Sequence, residues 1–306
     1  MLHRQWFPAS FLRALSVVVV GTLQAGCLIS GAEGRYVERE ERRFPVDGKP
    51  DVKLLTRDGA VEVRSWDRPE VLVVIEKHAV TKEAATAMSV DSRQDGRHVS
   101  VEVKMAREDR LSSLFWGGTG SAKLIVSVPA AADIQATTGD GAIDLDGIDG
   151  TISLQSGDGS ISARNASGAL AARSGDGSIR LDAIKGAVDA NTGDGSIVVN
   201  GALTGVRARS GDGSIAVHAQ AGSTTGTDWD ISSGDGSVTV EIPESFGAEL
   251  EVRTGDGRVR FDGVSLSNVA GEIAPNHANG RLGAGGRAMR VRTGDGSILV
   301  KRLSVP

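Results

Sequence analysis

The sequence predicts an all-β protein, a parallel β-solenoid of about 18-residue coils, from three observations. The tripeptide Gly-Asp-Gly recurs with its aspartate at positions 140, 158, 176, 194, 212, 235, 256 and 295, and the first four intervals are 18 residues each. Glycine is abundant at 41 of 306 residues, whereas aromatic residues make up only 4%. Apolar and polar residues alternate between the glycine-rich corners. A fixed period of this length is typical of a stacked array with a narrow core and many tight turns.

Aligning the units in register places their apolar residues in columns. After the first corner the columns are Ile143, Ile161, Ile179, Ile197 and Ile215, and then Leu145, Ala163, Leu181, Val199 and Val217. After a second corner they are Ile152, Leu170, Val188 and Val206, and then Leu154, Ala172, Ala190 and Ala208. A spacing of two residues is the period of a strand, so each coil should contain two short strands. One outward column, Asp146, Arg164 and Asp182, alternates in charge, which favours the same register.

Outside the regular array, the chain divides into three further parts. Residues 1–26 predict a signal peptide of the lipoprotein type, and residues 27–44, mixed in charge and aperiodic, predict a tether. Residues 45–130 predict an N-terminal β-strand part of the repeat domain, with one short helix behind Thr81 as N-cap. Residues 131–306 form the Gly-Asp-Gly solenoid itself. Thr56-Arg57-Asp58-Gly59 looks like a degenerate corner, so the array could begin within the N-terminal strands.

The lone cysteine, Cys27, follows a short apolar run and the small residues Ala25 and Gly26. This order resembles the lipobox of bacterial lipoproteins, in which the cysteine is lipidated and becomes the mature N-terminus, although Gln24 stands where that pattern prefers leucine. The alternative is a plain secreted protein with an incidental cysteine. Lipidation would anchor the chain to a membrane without spanning it. We therefore predict an exported, lipid-anchored envelope protein, and Leu28 resembles the outer-membrane sorting class if the envelope has two membranes.

The Gly-Asp-Gly corner predicts a structural turn, in which glycine supplies positive φ and the aspartate closes an Asx-turn. Stacking would place five carboxylates in one column of like charge, which is unfavourable. The column consists of Asp140, Asp158, Asp176, Asp194 and Asp212. Ca²⁺ could offset this repulsion, since carboxylates and carbonyls are its ligands, so a calcium-binding β-roll-like module is the alternative function. The match to a β-roll is incomplete, because Asp158 lies three rather than two residues before Ile161.

Other functional classes find little support in the sequence. The net charge is −5 and no basic stripe runs along the chain, so we do not expect a nucleic-acid partner. The five histidines show no paired metal spacing, and there is neither a nucleophile elbow nor a phosphate loop. We predict no enzyme and no cofactor, with a polysaccharide-acting β-helix enzyme as a remote alternative. A glycine-rich loop carries the apolar residues Phe115 and Trp116. We expect them either to form an interaction loop or to plug one end of the solenoid.

Three stretches together resemble a known family. They are residues 53–77, residues 124–150, in which a strand ends in Val-Pro before the first regular repeat, and the tandem Ser-Gly-Asp-Gly-Ser-Ile series that follows. They are similar to the bacterial putative-adhesin family of β-strand-repeat domains of unknown function. The resemblance implies an extracytoplasmic β-solenoid without established catalysis, and it supplies no site residues. We therefore expect an adhesin-like scaffold or binding surface that engages an envelope protein, a glycan, or its own copies through the solenoid ends.

Overall fold

The structure is a computed structural model, and it describes residues 36–104, 120–269 and 274–303. The N-terminal part contains β1 (Tyr36–Pro45), β2 (Asp51–Leu55), β3 (Val61–Trp66), β4 (Glu70–Ala79), α1 (Lys82–Ala87), β5 (Ser89–Asp95), β6 (His98–Lys104) and β7 (Ser121–Pro129). The regular part contains β8 (Asp133–Thr138), β9 (Ile143–Asp146), β10 (Asp149–Ser156), β11 (Ile161–Arg164), β12 (Ser167–Arg173), β13 (Ile179–Thr192), β14 (Ile197–Ser210) and β15 (Ile215–Ala219). The C-terminal part contains β16 (Trp229–Ser233), β17 (Val238–Ile242), β18 (Ala248–Thr254), β19 (Val259–Asp262), β20 (Leu266–Ser267), β21 (His277–Leu282), β22 (Ala288–Thr293) and β23 (Ile298–Arg302).

The fold is the predicted parallel β-solenoid. Its two faces meet at the Gly-Asp-Gly corners: face one holds the strands that follow a corner, and face two holds those that precede it. Along face one the parallel order is β7, β3, β9, β11, β13, β14, β15, β17, β23 and β19. Along face two it is β6, β2, β8, β10, β12, β13, β14, β16, β22 and β18. The long strands β13 and β14 bend and contribute to both faces. We name each coil by the aspartate of its corner.

The core consists of the predicted apolar columns. Ile161 pairs with Ile143 on one side and with Ile179 on the other, which is the 18-residue register. Every residue of the four columns is buried, with at most 4% of its surface exposed. Burying an aliphatic side chain stabilises a fold by about 1.5–3 kcal/mol. Since these side chains are covered by their equivalents in the neighbouring coils, the stability of the array lies in the contacts between coils.

A buried hydroxyl closes each corner of the array. Ser156 Oγ donates to the carbonyl oxygen of Gly141 in the preceding coil (2.9 Å) and accepts the N–H of Gly159 in its own coil (3.0 Å). The donation to the neighbouring coil recurs at Thr138, Ser174, Thr192, Ser210, Ser233, Thr254 and Thr293. The predicted Asx-turn is wrong, because no corner aspartate accepts a hydrogen bond in the described part of the chain. Instead, the hydroxyl two residues before the aspartate, such as Ser156 Oγ, accepts the N–H of the glycine that follows the aspartate.

The corner glycines are required by close packing and not by backbone conformation. The prediction of positive φ is wrong here, because neither Gly157 nor Gly159 has a positive φ. A Cβ on Gly159 would lie 2.0 Å from the carbonyl oxygen of Gly141, and one on Gly157 would lie 2.5 Å from that of Gly139. Positive φ occurs instead at the second corner, at Gly168 (φ +107°) and Gly186 (φ +133°). The first corner must therefore stay bare for two coils to approach closely.

The order of coils in space departs from the order in the chain at both ends. The last coil in the sequence, the Asp295 coil (β22 and β23), lies between the Asp235 coil (β16 and β17) and the Asp256 coil (β18 and β19). The hydroxyl contacts follow the spatial order, since Thr293 bonds to Gly236 and Thr254 bonds to Gly296. Likewise the first coil, β2 and β3, lies between β6–β7 and β8–β9. Asp58 forms its corner, as the degenerate repeat predicted.

Antiparallel strands flank both ends of the parallel stack. At one end β1 pairs with β4, β4 with β7, and β5 with β6; at the other, β21 pairs with β18 and with β20. The predicted short helix is confirmed as α1, with Thr81 Oγ1 accepting the N–H of Ala84 at 3.2 Å. The predicted tether is wrong over residues 36–44, because these residues form β1 through ten paired positions with β4. Among the described residues, no helix has the length and apolar character needed to cross a membrane.

Candidate functional site

Three of the predicted functional residues cannot be placed. Cys27 precedes the first described residue, and Phe115 and Trp116 fall in the gap between residues 104 and 120. Lipidation at Cys27 and an interaction role for Phe115 and Trp116 therefore stay predictions.

The five predicted aspartates form one exposed column along the first-corner edge. Their corners are joined directly, as in the hydrogen bond from Gly175 N to Gly157 O (2.5 Å), so equivalent residues stack coil on coil. Within the described ranges the column is extended by Asp58 at one end and by Asp235, Asp295 and Asp256 at the other. Ca²⁺ takes six to eight oxygen ligands around one point. The described residues hold no group of three or more His, Cys, Asp or Glu that could bind a metal ion. Calcium binding by the aspartate column stays a prediction.

The outward column of alternating charge has the predicted register but different hydrogen-bond partners. Arg164 lies opposite Asp146 and Asp182 in the neighbouring strands. The carboxylates accept hydrogen bonds from asparagine amides instead, from Asn165 to Asp146 and from Asn200 to Asp182, both at 2.9 Å. On the outer side of face one, these local hydrogen bonds therefore link neighbouring coils.

Face two carries an open groove of about 590 Å³ that the sequence did not predict. Its floor consists of small outward side chains from successive coils, including Ser153, Ala171 and Ala187. Its walls include Asp189, Arg207, Thr227, Asp228 and Arg287. Thr227 and Asp228 belong to the insertion that lengthens one coil interval to 23 residues. The sequence signal was present in that insertion, but it indicated only a loop.

The electrostatics of the groove centre on arginines. Asp189 Oδ2 lies 3.6 Å from a guanidinium nitrogen of Arg173 and 3.6 Å from one of Arg207. These side chains are a third to a half exposed, and such pairs contribute little to stability, about 0–1 kcal/mol. Their guanidinium groups are accessible, and a guanidinium binds carboxylates through paired hydrogen bonds. The groove lining contains neither histidine nor cysteine. Chemically, the arrangement can bind an anionic or hydroxyl-bearing chain but presents no nucleophile paired with a base.

Two ion-pair clusters join neighbouring strands in the two end regions of the stack. Lys77, 4% exposed, lies 2.5 Å from a carboxylate oxygen of Glu40. Burial raises the pKa of Glu40, but Lys77 and Arg42 together hold it below its usual value. At the other end, Glu241 contacts Lys301 of the Asp295 coil (2.5 Å) and His218 (2.9 Å). Burial raises the pKa of Glu241, but Lys301 and His218 together lower it below its usual value. Both clusters join separate strands, and we assign them a structural role.

Comparison with known proteins adds the family. No curated protein matches the chain. A solved "putative adhesin" from Bacteroides fragilis is 11% identical, with a TM-score of 0.42, over 87% of this chain and 97% of its own. One from Parabacteroides distasonis is 13% identical, with a TM-score of 0.41, over 86% and 96%. Similarity at this level is too low to transfer a function. A family model described as Toastrack DUF4097 matches residues 53–301, and the chain therefore belongs to the Toastrack (DUF4097) family.

Proposed function

We propose that this protein is a non-catalytic, lipid-anchored envelope protein whose solenoid acts as an adhesin-like binding surface. The observation that supports this most directly is the groove on face two. It lies on a face of parallel strands whose inward side chains are buried, so its outward side chains are presented on a rigid frame. Its lining provides arginines and hydroxyls for recognition and lacks a catalytic combination. The partner would be an envelope protein or a glycan.

The proposed anchor gives this surface an orientation. Cys27 precedes Tyr36, the first residue of β1, by nine residues, which can span at most about 30 Å when extended. Because β1 lies at one end of the stack, that end would face the membrane while the groove lies several coils away. Replacing Cys27 by serine should move the protein from the membrane fraction to the soluble fraction. Continued membrane attachment of Cys27→Ser would refute the anchor.

Binding is tested with the full chain and envelope fragments from its own host. We compare Arg207→Glu/Arg287→Glu, which reverses charge in the groove, with Arg164→Glu/Arg180→Glu, a matched pair of exposed arginines on face one. The groove pair should reduce retention of the protein on the fragments at least about tenfold, a loss of about 1.4 kcal/mol. The face one pair should retain wild-type binding. Protease and periodate treatment of the fragments then distinguish a protein partner from a glycan.

Equal binding by wild-type and the groove pair would remove the groove from the proposal. Equal loss in both pairs would show that binding follows total charge and not a site. Association of copies through the solenoid ends, the other predicted partner mode, is measured separately by sedimentation of the full chain at increasing concentration.

A further inference from the structure

The Asp295 coil occupies a slot between two coils that precede it in the chain. Its strands pair on one side with β16 and β17 and on the other with β18 and β19, always in parallel register. Two connections pass each other at the edge of face two to permit this order. A Cβ on Gly247 would lie 2.4 Å from the carbonyl oxygen of Gly285, and one on Gly283 would lie 2.7 Å from that of Phe246. Such crossings are avoided in ordinary sheets.

The contacts of this coil are made with other coils and are repeated on both of its sides. Its inward side chains Met289, Val291, Ile298 and Val300 are each 0% exposed. Thr293 donates to Gly236 on one side, and Gly296 accepts from Thr254 on the other. Arg302 donates to the carbonyl oxygens of Pro243 and Glu244, in the connection that passes the slot. A released coil would expose four apolar side chains, and the surface that fits all of them is this slot.

The covalent link to the rest of the fold is short and glycine-rich. Residues 283–287 join β21 to β22, and Gly283 (φ +52°), Gly285 (φ +83°) and Gly286 (φ +159°) all have positive φ. Glycine moves between positive and negative φ at little cost, so this segment can act as a hinge.

We propose that two copies of this chain exchange the Asp295 coil, so that β22 and β23 of each copy fill the slot of the other. The exchanged pair makes the same apolar contacts, ion pairs and hydroxyl bonds as the single copy, because the slot and the coil are unchanged. The balance between the two forms then depends on hinge geometry and protein concentration. This second-copy interaction is independent of the proposed binding role of the groove.

The test uses full chains in which Cys27 is replaced by serine and a single cysteine is introduced. Thr239 in β17 and Leu299 in β23 are register partners on the outer side of face one. Neighbouring strands lie about 4.8 Å apart, which is within reach of a disulfide. Chains carrying Thr239→Cys and Leu299→Cys, with different tags, are mixed at high concentration, incubated below the unfolding midpoint and oxidised. A disulfide between the two different chains is expected, in an amount that rises with concentration.

The matched control mixes Ala216→Cys with Thr239→Cys, which are register partners in two interior coils that no hinge releases. This mixture should give no heterodimer above background. Absence of the Thr239–Leu299 heterodimer, in a protein whose double variant Thr239→Cys/Leu299→Cys does form its disulfide within one chain, would overturn the proposal. An equal yield from the control mixture would also overturn it, because association would then not involve the slot.

Discussion

Replacing one corner glycine by alanine should separate two coils, and Gly177→Ala is the clearest case. A Cβ on Gly177 would lie 2.2 Å from the carbonyl oxygen of Gly159, and the nearby atoms are all backbone. Non-bonded contacts of Cβ below 3.0 Å are essentially never seen, so the coils must move apart by roughly 0.8 Å at this corner. The hydroxyl bond from Ser174 to Gly159, 2.9 Å long, would then exceed hydrogen-bond range.

The expected cost follows from the bonds that this movement breaks. The hydrogen bond from the Ser174 hydroxyl is lost, and the backbone hydrogen bond from Gly175 N–H to the Gly157 carbonyl oxygen is stretched. Losing one to two hydrogen bonds and leaving a buried carbonyl without a partner costs about 3 kcal/mol in the free energy of unfolding. For a chain of 306 residues that corresponds to a fall in the melting midpoint of about 5 °C, measured by circular dichroism.

A second glycine supplies the control for this experiment. Gly48 has φ +75°, and a Cβ added to it would meet no atom within 4 Å, so Gly48→Ala introduces backbone strain without a contact. It should cost about 1 kcal/mol. If Gly177→Ala lowers stability no more than Gly48→Ala does, close stacking is not the reason for the corner glycines.

Four further predictions concern the corners and the ion pairs. Ser174→Ala should lower stability by about 2 kcal/mol, because it removes both the donor to Gly159 and the acceptor for Gly177, whereas exposed Ser178→Ala should stay within about 0.5 kcal/mol; equal effects of the two would contradict the hydroxyl role. Asp176→Asn should raise the melting midpoint at low ionic strength by relieving repulsion along the aspartate column, and about 1 M salt should abolish the gain. Calcium at about 10 mM should leave the midpoint unchanged, since even a site with a Kd of about 1 mM would add about 1.4 kcal/mol and raise the midpoint by about 2 °C. The pKa of Glu241 lies below its usual 4.5, so its ion pairs stabilise the fold above about pH 4.5 and are lost as the pH falls through the lower folded-state pKa; Glu241→Gln should therefore flatten the acid side of the stability curve, and an unchanged curve would show that other carboxylates control it.

The regular array could be predicted from sequence because each coil repeats the same local requirements. A shift of one residue would turn Ile161 and Ala163 outward, so the apolar columns define the register without any knowledge of the fold. Helix formers behind the N-cap Thr81 predicted the short helix, and a degenerate copy of the repeat predicted the corner at Asp58. The chemistry of the corner was harder to predict, because a glycine required for φ and a glycine required for closeness look the same in a sequence.

The order of coils at the ends could not be predicted, because the pattern of one coil does not specify its neighbour. By its sequence, the Asp235 coil could make with the Asp256 coil the same hydroxyl and glycine contacts that it makes with the Asp295 coil. Consecutive coils are also normally adjacent in space, so the sequence favours the wrong neighbour. β1 was missed for a related reason. Its inward positions Glu38, Glu40 and Arg42 are charged, and Lys77, which pairs with both glutamates, lies far along the chain. The groove escaped prediction because it depends on an insertion that covers part of face two.

The placement of the first and last coils inside the stack has a consequence for how this protein can change in length. Both ends of the stack are formed by fixed arrangements that involve crossing or antiparallel segments, while the coils from Asp140 to Asp212 are interchangeable 18-residue units. Duplication or loss of one unit would leave both ends unaltered and change the distance between them by about 4.8 Å. Evolution could therefore change the distance between the two ends of the molecule in equal steps of one coil.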